Sequence, residues 1–274
     1  MDRGASLDAL IGDGAGSPSN RSVDRACRLL SAFSLDEPSL TLSELARRAE
    51  LPKATAHRLA VTLRACGLLT QAADGRYALG IRLLELGSIV RENLDALQLC
   101  RSAIDAVAAA SGETVLLSVV DWPTRQAMLV ARRDSPHPLA VGSPVGLRQQ
   151  IPPGGALGKA FLAGLPPHEV EGVVNELTLV ATTPKTPIER RLLLRQVSLA
   201  REAGYAFEQD EYLEGVSGVA VAVVFDGDRP LAALGVVGPT SRLAGQIQSL
   251  GALLLRETAG LRPGRLSETA RSSA

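Results

Sequence analysis

The stretch Thr41 to Gly67, TLSELARRAELPKATAHRLAVTLRACG, constrains the fold more than any other part of the chain, because it reads as two short helices joined by a tight turn. Leu42, Leu45, Ala46 and Ala49 recur at spacings of three and four and make one apolar stripe, with Thr41 or Ser43 able to cap its start. Leu51 and Pro52 then interrupt the pattern, since proline disfavours helix in the residue before it and suits the first position of a new helix. The second helix opens near Pro52. Its expected inner face is Leu51, Thr55, Leu59 and Leu63, which leaves Lys53, Ala54, His57, Arg58 and Arg64 on other faces. A helical hairpin inside a larger core has the same spacing. The short turn, the small and hydrogen-bonding residues that begin the second helix, and the hairpin that follows point instead to a helix-turn-helix. In that hairpin Leu68 to Gln71 and Arg76 to Leu79 flank Ala72-Ala73-Asp74-Gly75, and Asp-Gly is a strong turn signal. It reads as a wing. Arg76 near its tip would enter a minor groove or meet a phosphate, or else be a surface arginine on a solvated hairpin.

The surrounding chain supplies what such a helix pair needs. A helix from near Ser22, with Val23, Ala26, Cys27, Leu30 and Phe33 as its apolar face, would complete a three-helix core, and Glu37 to Ser39 reads as the loop after it. Net charge over the 274 residues is zero, but the sum hides a division. From Arg21 to Arg82 ten Lys and Arg face six acids, a net of +4 that the rest of the chain cancels. One basic module beside an acidic remainder suits contact of that module with a polyanion. The 46% hydrophobic and 21% charged fractions are those of a globular protein with ample core.

Residues 1–20 lack sustained periodicity and are expected to form a flexible arm, followed by the DNA-binding domain over 21–80. Residues 81–93 follow as a linker helix with Ile81, Leu84, Leu86, Ile89 and Val90 on more than one side, the pattern of a helix awaiting a partner in a dimer. Residues 94–262 form the second domain, which starts with an amphipathic helix, Leu94 to Ala110, and residues 263–274 a polar tail. Strands are expected at Thr114 to Asp121, Gln126 to Arg132 and Leu139 to Val141, then helices at Ala156 to Gly164, His168 to Glu176 and Ile188 to Ala203. Strands return at Tyr205 to Asp210, Val216 to Phe225 and Leu231 to Val237, the last two joined through Asp226-Gly227-Asp228, and a helix from Gln246 to Leu261 closes the domain. Strands, then helices, then strands predict an α+β domain built on one antiparallel sheet. Cys27, Cys66 and Cys100 read as buried small hydrophobes, without zinc spacing or a disulfide framework, in keeping with a reducing cytoplasm. No leader pattern and no long apolar run predicts secretion or a membrane span.

Taken in order, SELARRAELPKATAHRLAVTL, the wing DGRYALG, ALGKAFLAG and GYAFEQDEYLEGVSGVAVAVVFD give the chain from about Ser22 to Leu261 a resemblance to the IclR family of bacterial transcription factors. The resemblance implies a winged helix-turn-helix, a linker helix and a GAF-like effector-binding domain, working without cofactor as a homodimer or dimer of dimers on palindromic double-stranded operators. Repression is the commoner mode in that family. It also implies that Lys53, Thr55, Ala56, His57 and Arg58 lie where DNA is read. Lys53 and Arg58 would meet phosphate or guanine and Thr55 a base edge or phosphate, while His57 stays ambiguous between packing and contact. In the turn, Glu50 stands where the family commonly has glycine; a positive φ there costs about 1 kcal/mol.

For the effector, often a small organic or aromatic acid in that family, the resemblance implies a site between the Gly/Ala-rich helix start and the late strands. Its expected residues here are Gly154, Gly155 and Ala156, the acid Glu208, Gly218 in a Cys/Ser position, and Gly235 and Val237 in late-strand positions. Most side-chain donors of the family are missing. Either glycines widen the pocket and their backbone amides hold a bulkier apolar carboxylate, or the pocket is vestigial and no effector binds. An enzyme reading fails on its motifs. GGALGKA has the wrong glycine spacing for a phosphate loop, with Ala160 in place of Ser/Thr, and Val219 stands where a nucleophile elbow needs its last glycine. His57, His137 and His168 are isolated from metal-ligand partners, and Asp210 and Glu211, adjacent on an expected strand, read as a solvated edge or subunit contact. No catalytic or metal site is expected. A third reading is a module that senses a protein partner and binds no operator.

Overall fold

A computed structural model of the chain describes residues 20–224 and 229–261. The expected arm before Asn20, the tail and the Asp226-Gly227-Asp228 turn lie outside the described residues. The chain divides into two compact units, Met1–Asn93 and Leu94–Ala274.

In the first unit α1 (Arg21–Leu30) is followed by β1 (Ser39–Leu40), α2 (Leu42–Arg48), α3 (Lys53–Ala65), β2 (Leu69–Gln71), β3 (Tyr77–Leu79) and α4 (Arg82–Glu92). Thr41 starts α2 with a capping box: its hydroxyl accepts from the Glu44 N–H at 3.3 Å while Glu44 accepts from the Thr41 N–H at 2.7 Å. The turn to α3 needs a left-handed residue, and Glu50 provides it with φ +52°. Leu51 therefore sits before the helix and out of phase with it. The buried face of α3 is Ala56, Ala60 and Leu63 with Leu59 half-buried against the same core: Leu59 and Leu63 lie where expected, Leu51 packs there from before the helix, and Ala56 and Ala60 take the place expected for Thr55. Small alanines there let the core form around Leu29, Leu45 and Tyr77. Two further expectations fail. Asn20 caps α1, which turns Leu29 inward, so Val23 and Cys27 are exposed; Cys66, the C-cap of α3, is exposed as well, and only Cys100 of the three cysteines is buried. Ser39 and Leu40, read as the end of a loop, pair with Ala78 and Tyr77. Two residues are too few to show a period.

The second unit runs α5 (Asp95–Ser111), β4 (Thr114–Asp121), β5 (Gln126–Arg133), β6 (Arg148–Gln150), α6 (Ala156–Gly164), α7 (Pro167–Glu176), α8 (Arg190–Ala203), β7 (Ala206–Gln209), β8 (Val216–Val224), β9 (Pro230–Pro239), α9 (Thr240–Leu243) and α10 (Ile247–Thr258). Its six strands form one antiparallel sheet in the order β6-β5-β4-β9-β8-β7. Alternation along β8 and β9 decides what covers each face. Val219, Val221, Val223, Leu234 and Val236 point to α5 and α10, while Ala220 and Ala233 point to α6, α7 and α8. The large-residue face makes one core, and the small-residue face lets α6 lie close to the sheet. The strand expected at Leu139 to Val141 is loop, since Pro136, Pro138 and Pro144 interrupt pairing; the edge strand is β6, whose Gln150 pairs with Gln126.

Candidate nucleic-acid interface and ligand cavity

On α3 the outer face is set by what the inner face excludes. Lys53, Ala54, His57, Arg58 and Val61 are exposed, Thr55 is half-buried, and Ala56 is fully buried. Ala56 belongs to the core and has no path to a groove, which corrects the position assigned to it from resemblance. The outer stripe 54, 57/58 and 61 is the helical complement of 56, 59/60 and 63, so Ala54 and Val61 were legible from periodicity once the phase was known. Pro52 caps α3 without a side-chain hydrogen bond; its carbonyl accepts from the Thr55 N–H at 2.9 Å, which leaves the N–H groups of Lys53 and Ala54 at the helix start without an acceptor among the described residues. Arg76 is committed elsewhere. Its Nε donates to Ser39 Oγ at 3.2 Å, its Nη2 donates to Ser39 O at 2.7 Å, and the same Nη2 lies 3.5 Å from Glu44. It ties the wing to β1 and α2 instead of projecting from the tip, where Gly75 turns with φ +82°. Arg64 likewise donates to Gln71 on β2 at 2.5 Å.

In the second unit register brings together most of the residues expected around a ligand. Glu208 stands opposite Gly218, and Gly218 opposite Val237, forming a row across β7, β8 and β9; Ala220 opposite Gly235 forms the next. Above them the N-terminus of α6, capped by Gly155 without a side-chain bond, closes a cavity of about 120 Å3. Gly155, Ala156, Glu208, Gly235 and Val237 line it. Gly154 and Gly218 do not. A Cβ on Gly154 would lie 2.5 Å from Glu211 O, so that glycine is needed for the backbone of Glu211 to pass. A Cβ on Gly218 would sit 3.5 Å from Ala156 Cβ, under the helix. Nor does Gly235 open space, because Leu157 Cδ2 lies 3.1 Å from where its Cβ would be. The glycines admit α6 to the sheet; they do not widen the pocket.

Charge near the cavity is buried and organised. Glu208 is 3% exposed, and its Oε2 accepts from the backbone N–H of Glu211 at 3.0 Å and of Tyr212 at 3.4 Å. Burial pushes its carboxyl up to about 7, against those hydrogen bonds and the nearby Lys159 ammonium, which lower it. Lys159, the one charge on the apolar helix α6, is 2% exposed and meets Glu211 Oε2 at 2.9 Å. Burial pulls the Lys159 ammonium below the ordinary lysine value, opposed by Glu211. Glu211 is therefore a buried partner and not a solvated edge. The chain bends at Asp210, φ +58°, whose carboxylate accepts from Thr240 at 2.7 Å and Lys185 at 2.8 Å. Thr186 and Thr182 clamp the following carbonyls of Glu211 and Tyr212 at 2.6 and 2.8 Å. Sequence reasoning missed Lys159 and read Glu211 as a solvated edge or subunit contact. The available signal was a lone lysine in ALGKAFLAG, since a charge on a helix otherwise fit for burial demands a counter-charge. Among the described residues no cluster of His, Cys, Asp and Glu could hold a metal, and no helix is long and apolar enough to cross a membrane.

Residues 22–73 match the IclR helix-turn-helix domain, and residues 89–260 match the family described as bacterial transcriptional regulator IclR C-terminal. The transcriptional repressor IclR of Escherichia coli K12 is 28% identical over 86% of this chain and 86% of its own length. Among solved structures, an IclR-type transcriptional regulator from Alicyclobacillus acidocaldarius superposes with TM-score 0.78 at 26% identity, covering 88% of this chain and 97% of the other. An IclR homolog from Microbacterium hydrocarbonoxydans, solved in complex with 4-hydroxybenzoate, gives 0.72 at 25% identity over 87% and 99%.

Proposed function

Because the chain belongs to the IclR family of bacterial transcriptional regulators, we propose that it is a cytoplasmic repressor whose α3 enters the major groove of operator DNA and whose cavity takes a small-molecule effector. The observation that carries the reading is the exposed face of α3, where Lys53, His57 and Arg58 stand around an uncapped helix start. Lys53 and the first-turn N–H groups suit a phosphate, Arg58 a guanine or a second phosphate, and Val61 a thymine methyl. Thr55, half-buried, reaches at most the backbone of the DNA. Arg76 positions the wing.

A repressor of palindromic sites needs two such heads. Ile81, the N-cap of α4, and Leu84, Leu86, Ile89 and Val90 on it are all exposed, and a second copy of the chain would bury them, giving a homodimer or a dimer of dimers. Repression is supported by the relatives named as repressors, and a regulator rather than an enzyme by the function of those relatives. Effector binding is supported by the cavity, which keeps apolar walls and one buried carboxyl, against a vestigial pocket; an effector acts through its different affinity for the DNA-competent and incompetent arrangements. The test is selection of random duplexes on the full-length protein, with recovered sites retested at two salt concentrations. A palindrome bound with a steep salt slope is expected. Salt-sensitive binding to every duplex alike, or none at all, would overturn the operator reading in favour of a protein-partner module.

A further inference from the structure

We infer that the cavity of the second unit takes an uncharged, single-ring effector that donates a hydrogen bond to Glu208, and that it discriminates against carboxylates. The inference deepens the effector reading above and rests on it.

Three observations lead there. The volume, about 120 Å3, approaches that of a cavity of roughly 150 Å3 able to hold one benzene ring. The lining is largely apolar, with Leu116, Leu129 and Phe161 among its walls; besides Glu208 its polar side chains are the neutral Ser118, Ser143, Gln149 and Tyr212, and it includes no Lys, Arg or His. Its one charged side chain is Glu208, whose Oε2 is occupied by two backbone N–H groups while Oε1 accepts no hydrogen bond from the described residues. A carboxylate oxygen on the cavity wall without a protein donor is open to a ligand hydroxyl or N–H, which takes the place of water there.

A ligand carboxylate meets the opposite situation. The groups that face Glu208 are Lys159 from α6 and Glu211 and Tyr212 from the loop after β7. Lys159 is already paired with Glu211 and does not line the cavity, and the Tyr212 hydroxyl donates to Gln149 at 3.0 Å. A second carboxylate would therefore sit beside Glu208 with no cation to pair with, favoured only by neutral donors, the uncapped start of α6 and the Ser143 and Gln149 side chains. Like charges so placed force one of the two to take a proton. Carboxylate binding then carries a proton with it and weakens about tenfold per pH unit once Glu208 is ionised, whereas a neutral donor binds best to the ionised form. With the carboxyl held up to about 7, the two classes have opposite pH dependence across neutrality.

Calorimetric titration of the full-length protein with phenol, anisole and benzoate at pH 6 and 8.5 tests this. Phenol is expected to bind about tenfold or more tightly than anisole at pH 8.5, the difference of one charged hydrogen bond, and benzoate to lose at least about tenfold between pH 6 and 8.5. Glu208→Gln sharpens the result. Its amide oxygen can still accept from Glu211 and Tyr212, which turns an N–H2 donor toward the cavity, so benzoate should gain, phenol should lose, and the pH dependence should vanish. Should that variant fail to fold, the wild-type titrations decide alone. Benzoate tighter than phenol at pH 8.5, or anisole equal to phenol, overturns the inference and leaves the effector reading standing. Operator binding is scored on the same preparations: a protein that binds operator but none of the three probes overturns the inference while the DNA-binding reading survives.

Discussion

On the outer face of α3, Lys53, His57 and Arg58 stand in solvent without a side-chain partner among the described residues, whereas under α6 Lys159 and Glu211 are paired out of water and Glu208 is buried on the cavity wall. The first region keeps its charges hydrated until a polyanion displaces the water and counterions. The second region has its desolvation built into the fold, so its charges hold shape and set which ligand chemistry is tolerated. Removing a charge should therefore affect binding but not folding in the first region, and folding as well as binding in the second.

The sharpest way to break that contrast is Glu211→Ala. It leaves Lys159 buried without its carboxylate, and loss of one partner of a buried pair typically costs about 3 to 5 kcal/mol. Urea unfolding should show it, and Lys159→Met in the same chain should recover much of the loss, because a similar volume then fills the site with no charge to satisfy. A Glu211→Ala protein as stable as wild type would mean that water reaches Lys159 and that the region is not sealed.

Next in size is the pH dependence from Glu208. Its carboxyl is raised from 4.5 in the unfolded chain to about 7 in the folded one, so the folded state binds the proton more tightly. The associated stability is fully present below pH 4.5 and is lost as pH rises through about 7, a decline of about 3 kcal/mol from this group alone. Glu208→Gln should flatten that part of the profile, and the comparison is thermal unfolding of the two proteins at pH 5 and pH 8. An equal slope in both would assign the dependence to other groups.

In the first region the expected effect is on DNA alone. Arg58→Ala should weaken operator affinity by about 1 to 3 kcal/mol, with unfolding and oligomeric state unchanged. Arg76→Ala is the paired control. Because its guanidinium is held by Ser39 and Glu44, it should loosen the wing and reduce affinity less than Arg58→Ala, with little change in salt slope. Fluorescence anisotropy at two salt concentrations separates the two. A steeper loss for Arg76→Ala would put the wing, and not α3, at the centre of recognition.

How much of this was legible in the sequence follows the same division. Exposed charges on a helix can be read from spacing, and α2, α3 and the wing were. Ala56 was misplaced because its assignment came from resemblance while the helix phase depended on where Pro52 let α3 begin. In the second unit the order of strands, helices and strands was enough to expect an antiparallel sheet, which the structure has. What it did not contain was which small residue borders the cavity. Gly235 lines the cavity and Gly218 does not, and that depends on where α6 lands. Glu211 was read as solvated by its place beside Asp210 in an expected strand. The strand in fact ends at Gln209 and the left-handed bend at Asp210 breaks the alternation. Long-range pairing across 52 residues leaves no local pattern.

The smallest effect concerns the joint that lets α3 present its outer face at all. Glu50 holds φ +52° between α2 and α3, a conformation that L side chains other than Asn and Asp adopt reluctantly. Its backbone N–H donates to Arg47 O at 3.2 Å, while its side chain is largely exposed, with Arg28 at 3.9 Å as a distant ionic neighbour. Little is lost with that side chain, so Glu50→Gly should stabilise the chain by up to about 1 kcal/mol, less whatever glycine adds to unfolded-state entropy. Glu50→Ala removes the same charge without relieving the backbone and separates the two contributions. If glycine and alanine behave alike in unfolding and in operator binding, the strain at the turn is negligible and the angle between α2 and α3 is set by their alanine-lined contact instead.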